Sequence, residues 1–378
     1  MNPHFQFLIL EEDLHSRART GILNTPHGIV QTPVFMPVGT AATVKATTSQ
    51  DLRDKIQAQI VLANTYHLYL RPGCDILREA GGIHAFMNWH GPVLTDSGGY
   101  QVYSLAQNRK ITDEGVIFQS HIDGSKHLFT PEKVIDIQKI IGADILMAFD
   151  ECPPYPCSYD YASRSLELTH KWALRCLEKM SETEGLYGYD QCIFPIVQGS
   201  TYKNLREKSA RFLSDLNTPG IAIGGLAVGE PTDMMYDILE YLAPILPHEK
   251  PRYLMGVGTP ENILEAIARG IDMFDCVIPT RNARHGMLFT WDGIIQVKNQ
   301  KWKTCFELLN TQLFGEGGYS FAYLHHLFKA GEILALTIAT LHNLNFYQEL
   351  MNKAREQIVQ KNFDAWKNSI IPKLKSRI

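Results

Sequence analysis

The sequence lacks most features that would place it outside the ordinary globular enzymes. No apolar run approaches the ~18 residues needed to span a bilayer, and none is read as a transmembrane segment. The first residues, MNPHFQFLILEED, have neither the basic start nor the small-residue cleavage site of a signal peptide. Its seven cysteines are odd in number and include no CxxC, which favours reduced thiols and a cytoplasmic chain. No GxGxxG or P-loop occurs, so nucleotide-cofactor binding finds no support. The formal net charge of −4 provides no global basic field, and an anionic partner would have to be held by a local patch. What remains is 378 residues, 45% hydrophobic and 20% charged, enough for one large α/β domain or for a domain plus an appendage.

One pattern recurs along the chain. Short apolar or β-branched runs end abruptly in polar residues or glycine, and a helix-like stretch usually follows. The runs are VFMPVGT (34–40), IVLANTY (60–66), VLTDSGG (93–99), ILMAFDE (145–151), IFPIVQG (193–199), IAIGGL (221–226), RYLMGV (252–257) and MFDCVIPT (273–280). Near-continuous apolar runs suit strands buried on both faces, as in parallel sheets. Thr130-Pro131-Glu132 and Thr259-Pro260-Glu261 are helix starts, closed by Gly142 and Gly270, and 161–182 reads as a long amphipathic helix. Eight strands alternating with helices predict an α/β (β/α)8 TIM barrel, with a doubly wound open sheet as the competitor.

The placement of polar residues favours the barrel. Asn64, Asp96, Asp150, Gln198, Gly225, Met255 and Asp275 lie at or near the C-terminal ends of their runs. A barrel gathers these ends around one mouth, whereas an open sheet spreads them along an edge. FQFLILEED and GILNTPHGIVQTP read as N-terminal antiparallel strands closing the floor, and 102–130 as a hairpin insertion. Beyond 290 the strand GIIQVKN precedes two helices, roughly 320–333 and 343–361. The expected division is a barrel with insertions over 1–290 and a C-terminal helical appendage over 291–378.

Three acids at one mouth suggest acid/base or nucleophilic work, although each alone could cap a helix or pair with an arginine. Neighbouring residues on a strand face opposite ways, so only one of Asp275 and Cys276 can face the mouth. Cys276 has no basic residue in its immediate sequence to form a thiolate, which makes it the structural member of the pair. Gly224-Gly225-Leu226 offers backbone donors and acceptors suited to a planar heterocycle, Gln198 adds an amide, and Tyr100 and Met255 could sandwich a ring or simply belong to the core. Arg281 and Arg284 lie where a barrel often holds phosphate. Lys298, Lys301 and Lys303 extend that basic character, while Lys373, Lys375 and Arg377 read as a solvated helix end.

DSGGYQ, FDEC, VQGS, GGLAVGE, YLMGVGTPENI, MFDCVIPTRNAR and HHLFKAGEIL together resemble the bacterial tRNA-guanine transglycosylases, from about Thr20 to about residue 360. That resemblance implies a (β/α)8 barrel that exchanges guanine at the tRNA wobble position for a 7-deazaguanine on the route to queuosine. It implies Asp275 as the nucleophile at ribose C1′ and Asp96 as the general acid/base. Asp150, Gln198, Gly225 and Leu226 would read the base edge, Tyr100 and Met255 would stack on it, and Cys152 would join that set. Arg281 and Arg284, with Thr280 beside them, would contact a U-G-U anticodon sequence. Asn64 and Gln101 would hold the nucleotide or help to orient Asp275. Val228, with Cys152 and Val38, points to preQ1 (7-aminomethyl-7-deazaguanine) as the incoming base. A homodimer is also implied.

The chain departs from the family in one respect. A structural zinc is normally held by CxCxxC plus a histidine, but TCFELLNTQLFGEGGYS (304–320) has only Cys305, although His342 matches the ligand histidine. One histidine cannot hold tetrahedral zinc, so no metal and no cofactor is expected. Packing of Phe306, Leu308, Leu309 and Phe314 is the expected substitute. The competing readings are a non-catalytic tRNA-binding partner, a queuine-inserting enzyme and a carbohydrate-directed glycosidase.

Overall fold

The computed structural model describes residues 4–105 and 109–378. Its centre is built from two five-stranded parallel sheets. One runs Cys192–Phe194, Ile145–Met147, Val93–Asp96, Val61–Asn64, Val38–Gly39, and the other Ile196–Val197, Ile221–Ile223, Arg252–Leu254, Met273–Asp275, Val34–Met36. The sheets meet along two chain stretches, 34–39 and 192–197, and each is split by a proline. Pro37 and Pro195 have no N–H to give the ladder, but their carbonyls still accept from the next strand. Leu62 N–H reaches Pro37 at 3.0 Å and Ala222 N–H reaches Pro195 at 2.9 Å.

Alternation along these strands divides the core. Val34, Met36, Leu62, Leu94, Met147, Phe194, Tyr253 and Met273 pack together inside, beneath Phe5, Leu23 and Val30 of the N-terminal segment. Their neighbours Phe35, Val197, Ile223, Leu254 and Phe274 face the helices instead. The helix Tyr159–Glu182 is capped by Ser158, and Thr130 caps Pro131–Ile141, which stops at left-handed Gly142.

The N-terminal strands Phe7–Glu12, Arg19–Thr25 and Gly28–Thr32 form one antiparallel sheet. The insertion is a three-stranded meander, Arg109–Ile111, Val116–Gln119 and Lys126–Phe129, one strand more than the expected hairpin. After the hairpin Met287–Thr290/Gly293–Gln296 come helices Phe321–Ala330, Ile333–Val359 and Phe363–Lys375. The second begins ten residues before its expected start. Its first half, ILALTIATLHNL, is apolar almost all round and so shows no single stripe. The third ends at the lysines expected to form a solvated helix end, and it runs through Pro372. Phe346, Tyr347, Leu350 and Met351 of the long helix share one core with the strands, and Gln348 Nε2 donates to the Phe35 carbonyl at 3.2 Å. Among the described residues no helix is long and apolar enough to cross a membrane.

Candidate active site

At the C-terminal ends of the strands lies a cavity of about 400 Å³. Its lining brings together Asp96, Tyr100, Gln101, Asp150, Cys152, Gln198, Gly225, Leu226, Met255, Asp275 and Arg281, with Val228 at its edge. A larger, more open depression of about 710 Å³ around Lys139, Thr183 and Tyr189 holds none of the three strand-end carboxylates, so the chemistry belongs to the smaller one.

Asp96 is the last residue of its strand and is buried. Its Oδ1 accepts the N–H groups of Thr65 (3.1 Å) and Gly98 (3.2 Å), and its Oδ2 accepts from Asn64 Nδ2. Burial raises its pKa to about 7, the nearby Asp275 charge adds to that, and the hydrogen bonds only partly offset it. Asp275 likewise ends its strand, half-buried. Tyr253 OH (2.6 Å) and the N–H of Gly256 (2.8 Å) both donate to its Oδ1. Burial raises this carboxyl as well, while those two bonds favour its ionised form. The site therefore holds two carboxyls in different settings: Asp96 has donors on both oxygens and is lifted to about 7, whereas Tyr253 and Gly256 both donate to one oxygen of Asp275.

Asp150 lines the same cavity, just past the strand that pairs with the Asp96 strand. Gln198 Nε2 donates to its Oδ2 at 2.7 Å and Ser97 Oγ to its Oδ1 at 3.1 Å. Burial lifts it to about 6. Gln198 Oε1 is buried with no hydrogen-bond partner among the described residues. It sits against Gly225, where a Cβ would come within 2.3 Å of it and where φ is +62°, so only glycine fits. Cys152 also lines the cavity, and burial pushes its thiol up to about 12, which leaves it neutral.

Four residues carry roles that the sequence reading did not assign. Arg206 is wholly buried on the helix Lys203–Ser214 and, among the described residues, pairs with no carboxylate. Its guanidinium donates to the carbonyls of Ser200 (2.7 Å), Val197 (2.9 Å), Gly224 (2.7 Å) and Gly225 (2.9 Å), fixing the backbone that faces the cavity. The signal was an arginine on the apolar stripe of Leu205, Ser209, Ala210 and Leu213. Tyr253 supports Asp275, Thr65 supports Asp96, and Ser97 supports Asp150.

Several expectations need correction. Asn64 is buried, caps the helix Thr65–Leu70 and holds Asp96, so it orients that acid and not Asp275. Thr280 does not end a strand. The strand stops at Asp275, and Ile278–Arg284 is a short helix begun by Pro279. Thr280 is buried in it, its hydroxyl 3.3 Å from the Val277 carbonyl, and it lies outside the cavity lining. Arg281 is exposed at the cavity, whereas Arg284 is half-buried outside its lining with Nη1 buried and unpartnered. Cys276 does not turn fully away. It touches the cavity but is packed in the core, and burial lifts its thiol to about 11.

The residues at the expected zinc position do not fit a zinc ion. His342 is buried with Nε2 2.9 Å from the Phe289 carbonyl, its pKa lowered by burial to about 4. Neither it nor Cys305 belongs to a group of metal-ligating side chains among the described residues. The expected packing substitute is also revised. Phe306 (77%) and Leu308 (40%) are exposed, whereas Leu309 is buried against Leu324, Leu327 and Ile338 with Phe314 partly covering that cluster.

Residues 13–376 match the family model for queuine tRNA-ribosyltransferase. The queuine tRNA-ribosyltransferase of Caldanaerobacter subterraneus subsp. tengcongensis is 54% identical over 370 residues, covering 97% of each chain. That of Desulforudis audaxviator is 52% identical over 367 residues, again 97% of each, and that of Ruminiclostridium cellulolyticum 54% over 344 residues, 90% of this chain and 91% of the relative. With strand-end acids, base-sized cavity and full-length similarity in agreement, the chain belongs to the queuine tRNA-ribosyltransferase family.

Proposed function

We propose a double-displacement mechanism for this chain, which as a member of that family is a tRNA-guanine transglycosylase, a pentosyltransferase acting on tRNA. The observation that carries the mechanism is the convergence of Asp275 and Asp96 in one cavity that Asp150, Gln198 and Gly225 also line. Asp275 attacks C1′ of the wobble nucleotide through Oδ2, the oxygen to which neither Tyr253 nor Gly256 donates. The C1′–N bond breaks as the C1′–O bond forms, and Asp96 gives a proton to the departing guanine. A carboxyl held near 7 is poised for this at neutral pH. Asp96 then takes the proton of the incoming base, which displaces Asp275 and restores the β configuration, as in retaining glycosidases.

Base recognition follows from the same cavity. The Asp150 carboxylate accepts ring N–H groups, and the Gln198 amide with the Gly225 and Leu226 peptides reads the remaining polar edge. Tyr100 and Met255 cover the ring faces. An anticodon-loop base needs little unstacking to reach the cavity, and Arg281 and Arg284 contact the anticodon around its U-G-U sequence. We take the two parallel sheets as one closed (β/α)8 barrel over 1–290, with 291–378 as its C-terminal appendage. The proposal also includes preQ1 as the incoming base, a homodimer and a cytoplasmic setting.

Labelled guanine incorporation into an unmodified G-U-N tRNA tests the reading. Wild-type chain incorporates the label, and Asp275→Asn lowers the rate by about 10³-fold or more. A wild-type chain that binds this tRNA but exchanges no guanine would sink the proposal.

A further inference from the structure

Asp144 stands immediately before the strand Ile145–Met147, at the end away from the cavity, and is fully buried. Two imidazoles converge on it from distant parts of the chain. His27 comes from the turn between Arg19–Thr25 and Gly28–Thr32, and His84 from the short helix Ile83–Phe86. His27 Nδ1 lies 2.7 Å from Oδ1 and His84 Nε2 lies 3.4 Å from Oδ2. The two rings stack with centroids 3.7 Å apart, and Tyr189 meets the His27 ring edge-on at 4.4 Å.

His84 has a fixed tautomer. Its Nδ1 is 3.2 Å from the Trp89 carbonyl, and a carbonyl can only accept, so Nδ1 carries the hydrogen. In the neutral ring Nε2 is then a bare lone pair, buried without a hydrogen-bond partner and directed towards a carboxylate oxygen. Two electron-rich atoms facing each other in a buried place repel. Protonating Nε2 would relieve this, but at the cost of a cationic ring stacked 3.7 Å from a second imidazole that already bonds the same carboxylate. A metal cation gives His84 Nε2 a partner and draws on the carboxylate that His27 and the Val93 N–H (2.8 Å) already hold. The donor atoms lie within 4.8 Å of one another. Two imidazole nitrogens and a carboxylate are a ligand set that suits divalent transition metals, and a ligand histidine whose other N–H is held by a carbonyl is the usual arrangement.

We propose that His27, His84 and Asp144 bind one divalent transition-metal ion at the end of the strands remote from the catalytic cavity. The ion takes the place of the hydrogen on His27 Nδ1 while Nε2 of the same ring takes up a proton from solvent, so the imidazole stays neutral, and the ion ties the 25–28 turn and the 83–86 helix to the strand at Asp144. The site is separate from Cys305 and His342, and it takes no part in base exchange.

Chelator-treated full-length chain is titrated with ZnCl2 by calorimetry and with CoCl2 by visible absorption. One ion binds per chain, Co2+ gives ligand-field bands, and the ion raises Tm. His27→Ala and His84→Ala each weaken binding by about tenfold or more, while Cys305→Ser leaves it unchanged. His27, partly exposed, can be removed without unfolding, and retained guanine exchange by that variant confirms its fold. The proposal is overturned if neither ion binds, or if binding survives both histidine variants. A metal-free chain in which NMR finds a hydrogen on both His84 ring nitrogens, unchanged on adding Zn2+, also overturns it.

Discussion

The mouth and the segment 304–320 are built on opposite terms. At the mouth, polar groups are buried and hold one another: Asn64 and Thr65 hold Asp96, Tyr253 and Gly256 hold Asp275, and Gln198 and Ser97 hold Asp150. In the segment, apolar groups are left outside, with Phe306 and Leu308 exposed and Leu309 alone of the three in the core. A few backbone bonds bind it, such as Leu309 N–H to Tyr319 at 2.7 Å and Ala322 N–H to Cys305 at 2.7 Å. The difference teaches where tolerance lies. The three buried carboxyls at the mouth each depend on particular partners, whereas most of the segment can change without disturbing the barrel.

After loss of Asp275, the largest effect belongs to its companion acid. Asp96→Asn lowers guanine exchange about 10²- to 10⁴-fold, the range for a positioned general acid/base, and removes the alkaline limb near pH 7 from the kcat/KM profile. A limb unchanged in the variant would break the assignment. The same group gives a stability test. Its folded value of about 7 exceeds the ordinary 3.8, so the folded chain keeps a proton that the unfolded chain has lost. That stabilisation is full below the unfolded value and is lost as pH rises through the folded one. Denaturant titrations from about pH 5 to about pH 8 therefore show wild type losing stability relative to Asp96→Asn.

Arg206→Lys comes next. Lysine cannot supply the same fork of donors to four carbonyls, and the freed carbonyls of Gly224 and Gly225 let the base-reading backbone shift. KM for guanine rises about tenfold or more while kcat falls less, because Arg206 acts on base position and not on bond breaking. Equal loss in both would place it in the chemical step. The contrast within the segment is smaller. Leu309→Ala costs about 2–4 kcal/mol of unfolding free energy as a buried truncation, and Phe306→Ala stays within about 0.5 kcal/mol as an exposed one. Similar costs for the two would show that Phe306 is covered in solution.

Much of the mouth was legible because its chemistry sits where hydrophobic runs stop, and strand ends are what a run of VLTD or MFD marks directly. Supporting residues were harder to see. Tyr253 reads as one more apolar strand residue, and its hydroxyl matters only because the next strand places Asp275 beside it. Arg206 was visible as a charge on an apolar helix face, but its four carbonyl partners come from two different strand ends. Thr280 was misread because Ile-Pro-Thr continues a β-branched run, although Pro279 is also a helix-start residue. In 304–320 the exposure of Phe306 and Leu308 could not be read, since composition without periodicity does not say which apolar side chains find a core.

The most direct test is mass spectrometry of the enzyme trapped on its tRNA by denaturation during turnover. The account predicts a ribose-linked mass on the peptide containing Asp275, absent in Asp275→Asn and still formed, slowly, in Asp96→Asn. A covalent mass on the peptide containing Asp96, or an adduct retained by Asp275→Asn, would contradict it.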